Sequence, residues 1–418
     1  MNSSPKISIV IPTLDDLFQL QILLNKLPSQ ILLPYEIIVI DSSSNNEIQN
    51  FLSDLNYPIK IYYSRIGRAY RWDRFLSLFL KIIGSLAQQK KLSNGRAYPY
   101  EASNKGAKLA SGNWLAFLDS TTLPKNNWLY DYSKQLIDDN LEAVFGSTKY
   151  YAETYFQKVF RAATWGVFAH ETMPGTLIKR ELYFPIKEGV RAGGDVEWRK
   201  KVKSKLRWAT PKTHYIKYKN IPKNILNSSK KMFIYQLHAA RVDIQHPIKD
   251  AYLGIFLLLS IFIIPKWNSL VGWESSPFFI PNITKVYFIS IAATLLAILL
   301  VNRGLLRGVE KNNFFIYVLK IFFLIFSIIF VYNWNEDIAG WVEESIWFIP
   351  HITKIFITFV FLCALSYRGL YFPMQNGIKS SFLFPVNFLV VGLIGILNDV
   401  LKAPGYLCGA ILSSFIRK

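Results

Sequence analysis

Two short, continuous apolar runs mark the start of the chain. Ile7-Ser-Ile-Val-Ile11 ends at Pro12-Thr13, and Tyr35-Glu-Ile-Ile-Val-Ile40 ends at Asp41-Ser-Ser-Ser44. Runs this short and this apolar, each closed by a turn signal, predict buried parallel strands. A helical pattern to about Leu27 lies between them. Strand, helix and strand within about 35 residues make a βαβ unit. A third run, Leu115-Ala-Phe-Leu118, ends at Asp119. Ligands of open α/β sheets bind outside the carboxyl ends of the strands. That rule gathers Pro12, Thr13, Asp41 and Asp119 at one prospective cleft.

From Ala251 onward the pattern changes. Apolar stretches near 248–265, 281–301, 313–332, 350–367 and 382–398 approach the length of about 20 residues that spans a bilayer. Pro404-Gly405 and a final apolar piece to Ile416 suggest an interfacial or re-entrant end. An internal repeat runs through this half. Gly272-Trp273-Glu274 with Phe279-Ile-Pro-Asn-Ile-Thr-Lys285 recurs as Gly340-Trp341-Val-Glu343 with Phe348-Ile-Pro-His-Ile-Thr-Lys354. Each copy continues to Arg-Gly-Leu, at Arg303 and at Arg368. The 302–312 loop carries Arg303, Arg307 and Lys311, while the 333–349 loop carries Glu336, Asp337, Glu343 and Glu344. The positive-inside rule puts the Arg-Gly-Leu loops and the preceding head in the cytosol. Trp267, Trp273, Trp334, Trp341 and Trp347 then form an outer aromatic belt. The expected layout is a cytosolic head over residues 1–245 and an α-helical transmembrane domain over 246–418, multi-pass in an inner or plasma membrane. Met1–Lys6 lacks the apolar core of a signal peptide, so the head is expected to stay inside.

Composition adds two constraints. The chain is 51% hydrophobic, and 48 Lys and Arg against 28 Asp and Glu leave a net charge of +20. Much of the excess crowds the 200–245 segment, from Lys200, Lys201 and Lys203 to Lys230 and Lys231. Beside a membrane span, such a segment is read as attracted to anionic lipid headgroups, and nucleic acid is not expected as a partner. Cys363 and Cys408 both lie in the apolar half and make no disulfide framework. Neither a zinc-hydrolase motif nor a phosphate-binding Gly-Lys-Thr/Ser loop is present, which removes those classes.

Four ordered motifs resemble family 2 glycosyltransferases. They are Ser8-Ile-Val-Ile-Pro-Thr13; Ile38-Val-Ile-Asp-Ser-Ser-Ser44; Glu101-Ala-Ser-Asn104-Lys-Gly106 with Ala110-Ser-Gly112 through Phe117-Leu-Asp119 to Trp128; and Gly175-Thr-Leu-Ile-Lys179-Arg180 with Gly194-Asp195-Val-Glu197-Trp-Arg199. The resemblance covers roughly residues 6–205 and implies a GT-A-like nucleotide-sugar-binding α/β domain, a mostly parallel sheet flanked by helices. It implies that Pro12, Thr13, Asp41, Ser43 and Asn104 hold the nucleotide, with Asp41 accepting from a uracil N3–H; turn formation is the other role for Asp41. Asp119, aided by Thr121, would hold a divalent Mg or Mn ion on the diphosphate. Asp195, or Glu197 beside it, would be the general base of an inverting transfer; an acidic helix start is the plainer alternative. Lys179, Arg180 and Arg199 would contact phosphate or acceptor, or form surface ion pairs. The sequence departs from the family at Thr121, where a second carboxylate is usual, at Ser43 and at Gly194.

The implied activity is transfer of a sugar from a UDP-sugar donor to a lipid-linked or growing-glycan acceptor at a membrane. Gln236-Leu-His-Ala-Ala-Arg241 does not match the Q-x-x-R-W of processive synthases, which favours single-sugar transfer. The alternative is a catalytically degenerate membrane scaffold that binds nucleotide or a partner enzyme, motivated by Thr121. A transporter is disfavoured, since Lys320 is almost alone as a charge inside the apolar stretches. Arg65, Arg68, Arg71 and Arg74, followed by the apolar run Phe75–Ile83, suggest a membrane-facing helix or phosphate contact. His170 and Glu171 precede the fourth motif, and a lone histidine there is read as structural.

Overall fold

The computed structural model describes residues 5–67, 97–211, 216–242, 267–281, 283 and 352–416. The chain divides into two compact units: Met1–Gln157 with Val167–Ile221, and Lys158–Gly166 with Pro222–Lys418. The first is a mixed α/β unit built on a nine-stranded sheet. Strands β1 (Ile7–Thr13), β2 (Glu36–Asp41), β3 (Ile61–Arg65) and β4 (Trp114–Phe117) lie in the order β3-β2-β1-β4, all parallel. β7 (His170–Lys179) pairs antiparallel with β4, and β6 (Ala143–Tyr150) antiparallel with β7. β9 (Ile216–Tyr218), β5 (Thr122–Leu123) and the short β8 (Trp208–Ala209) complete it. The mostly parallel sheet expected from the sequence is thus parallel in its first half and mixed in its second.

The two apolar runs are buried as their composition demands: every residue of β2 and all but Pro12 of β1. Alternate residues take opposite faces. Ile7, Ile9 and Ile11 pack with Leu20, Leu23 and Leu24 of α1 (Leu17–Lys26), and with Trp128 and Tyr132 of α4 (Trp128–Asp138). The short α2 (Glu47–Ser53) adds Ile48 to that side. The other face receives α3 (Pro99–Leu109), whose Gly106 lies directly on Val10; a Cβ there would come 2.3 Å from Val10 Cγ1. Two polar side chains sit within the runs, and they satisfy each other. Ser8 Oγ donates to Glu36 at 2.6 Å, and the backbone and hydroxyl of Ser111 add bonds of 2.7 and 2.9 Å. Burial raises the Glu36 carboxyl, but hydrogen bonds from Ser8, Ser111 and Gly112 outweigh it and leave it below its ordinary value.

The second unit is helical among its described residues. α5 (Tyr155–Thr164) crosses the division at Gln157, and α6 (Gly194–Lys205) belongs to the first unit. α7 (Ile225–Ala239) lies along α9 (Asn387–Ile416), where Gly405 and Gly409 rest against the Phe233 and Leu237 carbonyls. The compact units divide at Ile221, and the head–membrane boundary expected at residues 245–246 lies outside the described residues. α8 (Ile352–Ser366) passes through a π-helical turn, Tyr367–Tyr371, into Phe372–Gln375. Arg368 in that turn pairs with Asp399 of α9 at 3.0 Å, and Lys402 reaches Asp399 at 3.2 Å. The Asp399 side chain is only 4% exposed, whereas Phe359 is 65% and Leu393 50% exposed.

One helical stretch among the described residues, Asn387–Tyr406, is long and apolar enough to cross a membrane. It corresponds to the expected span at 382–398, begun later. The helix also continues through Pro404 to Ile416, so no separate re-entrant piece forms. The 350–367 stretch appears as α8. The stretches at 248–265, 281–301 and 313–332, Lys320, the second Gly-Trp copy and Arg303-Gly-Leu lie outside the described residues, as do Arg68, Arg71, Arg74 and Phe75–Ile83, apart from residues 281 and 283. The first Gly-Trp loop is a compact turn, in which Trp267 Nε1 donates to Phe278 O at 2.8 Å and Asn268 bonds Ile280 twice. The 200–245 segment is largely folded rather than a loose basic tether. Lys203 pairs with Glu171 at 2.9 Å, and Lys219 with Glu153 at 3.5 Å.

Candidate functional site

The parallel strands end together. Thr13 is the register partner of Asp41, and Val10 that of Phe117, so Asp119 lies level with Pro12 at the same sheet edge. α3 returns toward β4 and therefore starts at this edge, bringing Tyr100 with it. α6 also starts here, after Gly193 turns the chain at φ 85°, a left-handed value that glycine takes without strain. The second residue of α6 is Asp195.

Asp195 is held on both oxygens. The Tyr100 hydroxyl donates to Oδ1 at 2.8 Å, and Arg199 Nη2, one turn along α6, reaches Oδ2 at 3.3 Å. Arg199 is itself fixed, with Nη1 donating to the Glu171 carbonyl at 2.6 Å and to its carboxylate at 3.1 Å. Asp119 is the electrostatic neighbour of Asp195. Burial, and after it the charge of Asp195, pushes the Asp119 carboxyl up to about 6. Glu197, two residues on, has its Oε2 buried with no hydrogen-bond partner. An aromatic cluster joins α6 to β4. Trp198 of α6 meets the Phe117 ring edge-on at 6.4 Å, Tyr183 stacks on Phe117 at 5.5 Å, and Trp198 Nε1 donates to Phe184 O at 2.7 Å.

On the β1–β2 side, Asp41 is fully buried. Its Oδ1 accepts from Ser43 N at 2.8 Å and its Oδ2 from the Tyr63 hydroxyl at 3.0 Å. The first bond is the turn role that Asp-Ser-Ser chemistry predicts. Ser43 Oγ accepts from Asp15 N at 2.7 Å, tying the two strand-end loops together. Thr13 Oγ1 is buried without a hydrogen-bond partner in the structure. Thr121 sits in the turn after Asp119, where Thr122 caps the Asp119 carbonyl through its own N–H and hydroxyl. Nearby, Ser120 donates to Asp16, whose carboxyl is raised by burial against the lowering effect of that bond.

Three residues expected to contact nucleotide, phosphate or acceptor make other contacts, and for Lys179 the alternative surface ion pair is present, with Glu181 at 4.0 Å. Lys179 is the register partner of Trp114, at the opposite end of β4 from Asp119. Arg180 follows it there, with its guanidinium on Ala110 O and its backbone N–H on Asn113 O. The cause is direction: β7 runs antiparallel to β4, so its last residues lie where β4 begins. Asn104 is a staple instead. Its amide donates to Ile186 O and Glu188, and its oxygen accepts from Tyr183 and Ile186 N. Those four bonds use its full capacity. His170 stays at the start of β7, with its ring 5.9 Å from that of Tyr150.

Tyr100, Tyr183 and Trp198 are the site residues that sequence reasoning passed over. Tyr100 and Trp198 lie within or beside the matched motifs, but nothing in spacing alone says that an aromatic hydroxyl meets Asp195. Among the described residues, no three His, Cys, Asp or Glu side chains gather closely enough to hold a metal ion by themselves.

No protein family matches the chain's sequence, and no curated protein matches it. Among solved structures, S. aureus TarS aligns at 15% identity over 55% of this chain and 39% of that chain, with a TM-score of 0.36. TarS 1-349 in complex with UDP aligns at 15% identity over 57% of this chain and 67% of that one, with a TM-score of 0.36. TarS 1-349 in complex with UDP-GlcNAc aligns at 13% identity over 93% and 90%, with a TM-score of 0.37. The chain spans well under half of the full TarS chain it matches. A likeness of this size leaves function to the side chains themselves.

Proposed function

We propose that this chain is an inverting glycosyltransferase that moves a sugar from a UDP-sugar to a membrane-associated, lipid-linked or glycan acceptor. One observation carries the proposal. Asp119 and Asp195 arrive from different elements at the carboxyl edge of the parallel strands, near enough for one charge to raise the other's pKa. The nucleotide is assigned to the β1–β2 end, with Thr13 and Asp41 as the strand-end residues nearest the base and ribose and Ser43 supporting that loop. Asp195 accepts the proton of the acceptor hydroxyl as its oxygen bonds to the anomeric carbon. The bond from that carbon to the diphosphate oxygen breaks on the opposite face, and the nucleoside diphosphate leaves.

The residues present fit a divalent ion. Asp119 is one hard oxygen donor and Thr121 a neutral second; desolvation first, and then the charge of Asp195, raises the Asp119 carboxyl, and a cation beside it would offset both. Magnesium sites commonly take one or two carboxylates and complete their shell with phosphate oxygens. A bound ion would supply charge neutralisation on the leaving diphosphate.

Membrane association is supported by the inverted polarity of the second unit. Apolar side chains such as Phe359, Leu362, Leu389 and Leu393 are exposed, and the charges Arg368, Asp399 and Lys402 are paired inside. Charged groups within a bilayer behave this way. UDP release from a panel of UDP-sugars, with lipid acceptors and Mn ions, tests the proposal on the detergent-solubilised chain. Asp195→Asn and Asp119→Asn are each expected to cost roughly 100-fold or more in turnover. Full activity in both variants would sink the site assignment. Thr121 in place of a carboxylate favours the second reading, a scaffold without turnover; nucleotide binding with no release from any donor would establish it.

A further inference from the structure

Tyr100 is the second residue of α3, and its ring is buried beneath the start of α6. Glycine at 194 makes room for it. A Cβ on Gly194 would come within 2.9 Å of two Tyr100 ring carbons and 3.2 Å of Ile186 Cγ2. The absence of a Cβ at Gly194 is therefore what admits the Tyr100 ring. The hydroxyl at the end of that ring donates to Asp195 Oδ1 at 2.8 Å, while Arg199 holds Oδ2 from within α6. Burial, then the charge of Asp195, keeps the Tyr100 hydroxyl protonated by raising it well above its ordinary value. It is thus a permanent donor, fixed by α3 rather than by the helix that carries Asp195.

We propose that Tyr100 is a positioning residue that sets the orientation of the Asp195 carboxylate, with Gly194 as the recess that admits its ring. The proposal rests on Asp195 being the general base. A base must meet the acceptor hydroxyl within hydrogen-bond reach, and a carboxylate bonded only within its own helix can rotate away. Tyr100 ties it to the frame formed by α3 and the strand ends.

Tyr100→Phe keeps the ring and removes one oxygen. In UDP release by the full chain in detergent, its kcat is expected to fall about 10- to 100-fold, as misplacement of a catalytic group does. KM for the UDP-sugar is expected to stay within about twofold, because the donor is held at β1–β2 and Asp119. Gly194→Ala presses on the same ring from the other side and is expected to lower kcat in the same way. Once Tyr100→Phe is present, adding Gly194→Ala should lower kcat less than it does alone, because the two act through one group. Unchanged kcat in Tyr100→Phe overturns the proposal. So does a lower melting temperature with higher KM and unaltered kcat, the signature of a filler. Asp195→Asn separates the two levels. If that variant is active, or the wild type turns over no donor, the parent reading has failed. If Asp195→Asn is inactive and Tyr100→Phe is fully active, the role of Tyr100 alone has failed.

Discussion

The Asp119 carboxyl is pushed up to about 6 in the folded chain, against an ordinary value of 3.8, by desolvation of this half-buried side chain and then by the charge of Asp195. The folded state therefore binds that proton more tightly than the unfolded one. Its stabilising effect is complete below about 3.8 and is lost as pH rises through about 6. Asp119→Asn removes that loss. In EDTA its melting temperature should exceed the wild type's at pH 8, by the equivalent of about 3 kcal/mol, and the gain should shrink by pH 4.5. An equal difference at both pH values would contradict the account. Mn ions should raise the wild-type melting temperature at pH 8 and leave Asp119→Asn unmoved. At this scale much was legible in the sequence. An acid closing an apolar strand reads directly as Asp41 or Asp119. Asn104 and Lys179 were not legible in this way, because an amide's partners and a strand's direction depend on residues distant in sequence.

Among elements, α3 shows how the first half of the sheet is held. Its contact with β1 is close enough that Gly106→Ala would drive a Cβ to 2.3 Å from Val10 Cγ1. Overpacking of this kind costs about 1–3 kcal/mol, readable as a lower urea midpoint with unchanged slope. Gly106→Ala should also reduce turnover, since α3 carries Tyr100. β1, β2 and β4 follow from local pattern; β3 carries no such apolar run, and the helix before β4 is expected only from the resemblance. The direction of β7 does not follow from local pattern. Its sequence, His170–Lys179, is strand-like, but nothing local states that it runs against β4. That single direction removes Lys179 and Arg180 from the cleft and brings Glu171, near the other end, to Arg199.

For the whole molecule, the two units bury different kinds of side chain. The first hides an apolar sheet core. The second also hides Asp399 between Arg368 and Lys402 while leaving aromatic and aliphatic groups outside. Removing one member of a buried ionic cluster costs more than its net contribution, because charge is left uncompensated. Asp399→Leu leaves two cations without the carboxylate between them. Arg368→Met leaves the Lys402–Asp399 pair intact. Melting of the full chain in detergent should therefore show Asp399→Leu as the worse of the two, by about 3–5 kcal/mol relative to wild type. Equal effects would mean that the cluster does not act as a unit.

The sequence by itself determined the buried strands, their acidic carboxyl ends, the change to apolar helices and the resemblance that suggested a nucleotide sugar. Each is written in neighbouring residues, because burial period, turn chemistry and span length are local properties. Tertiary structure decided which carboxylates meet, that Tyr100 and Arg199 hold Asp195 from two elements, and that Asn104 is a staple. It also decided that the second unit begins at Pro222 and takes in 158–166. These depend on strand direction, helix contact and shared burial, which join residues far apart in the chain and leave no periodic trace along it.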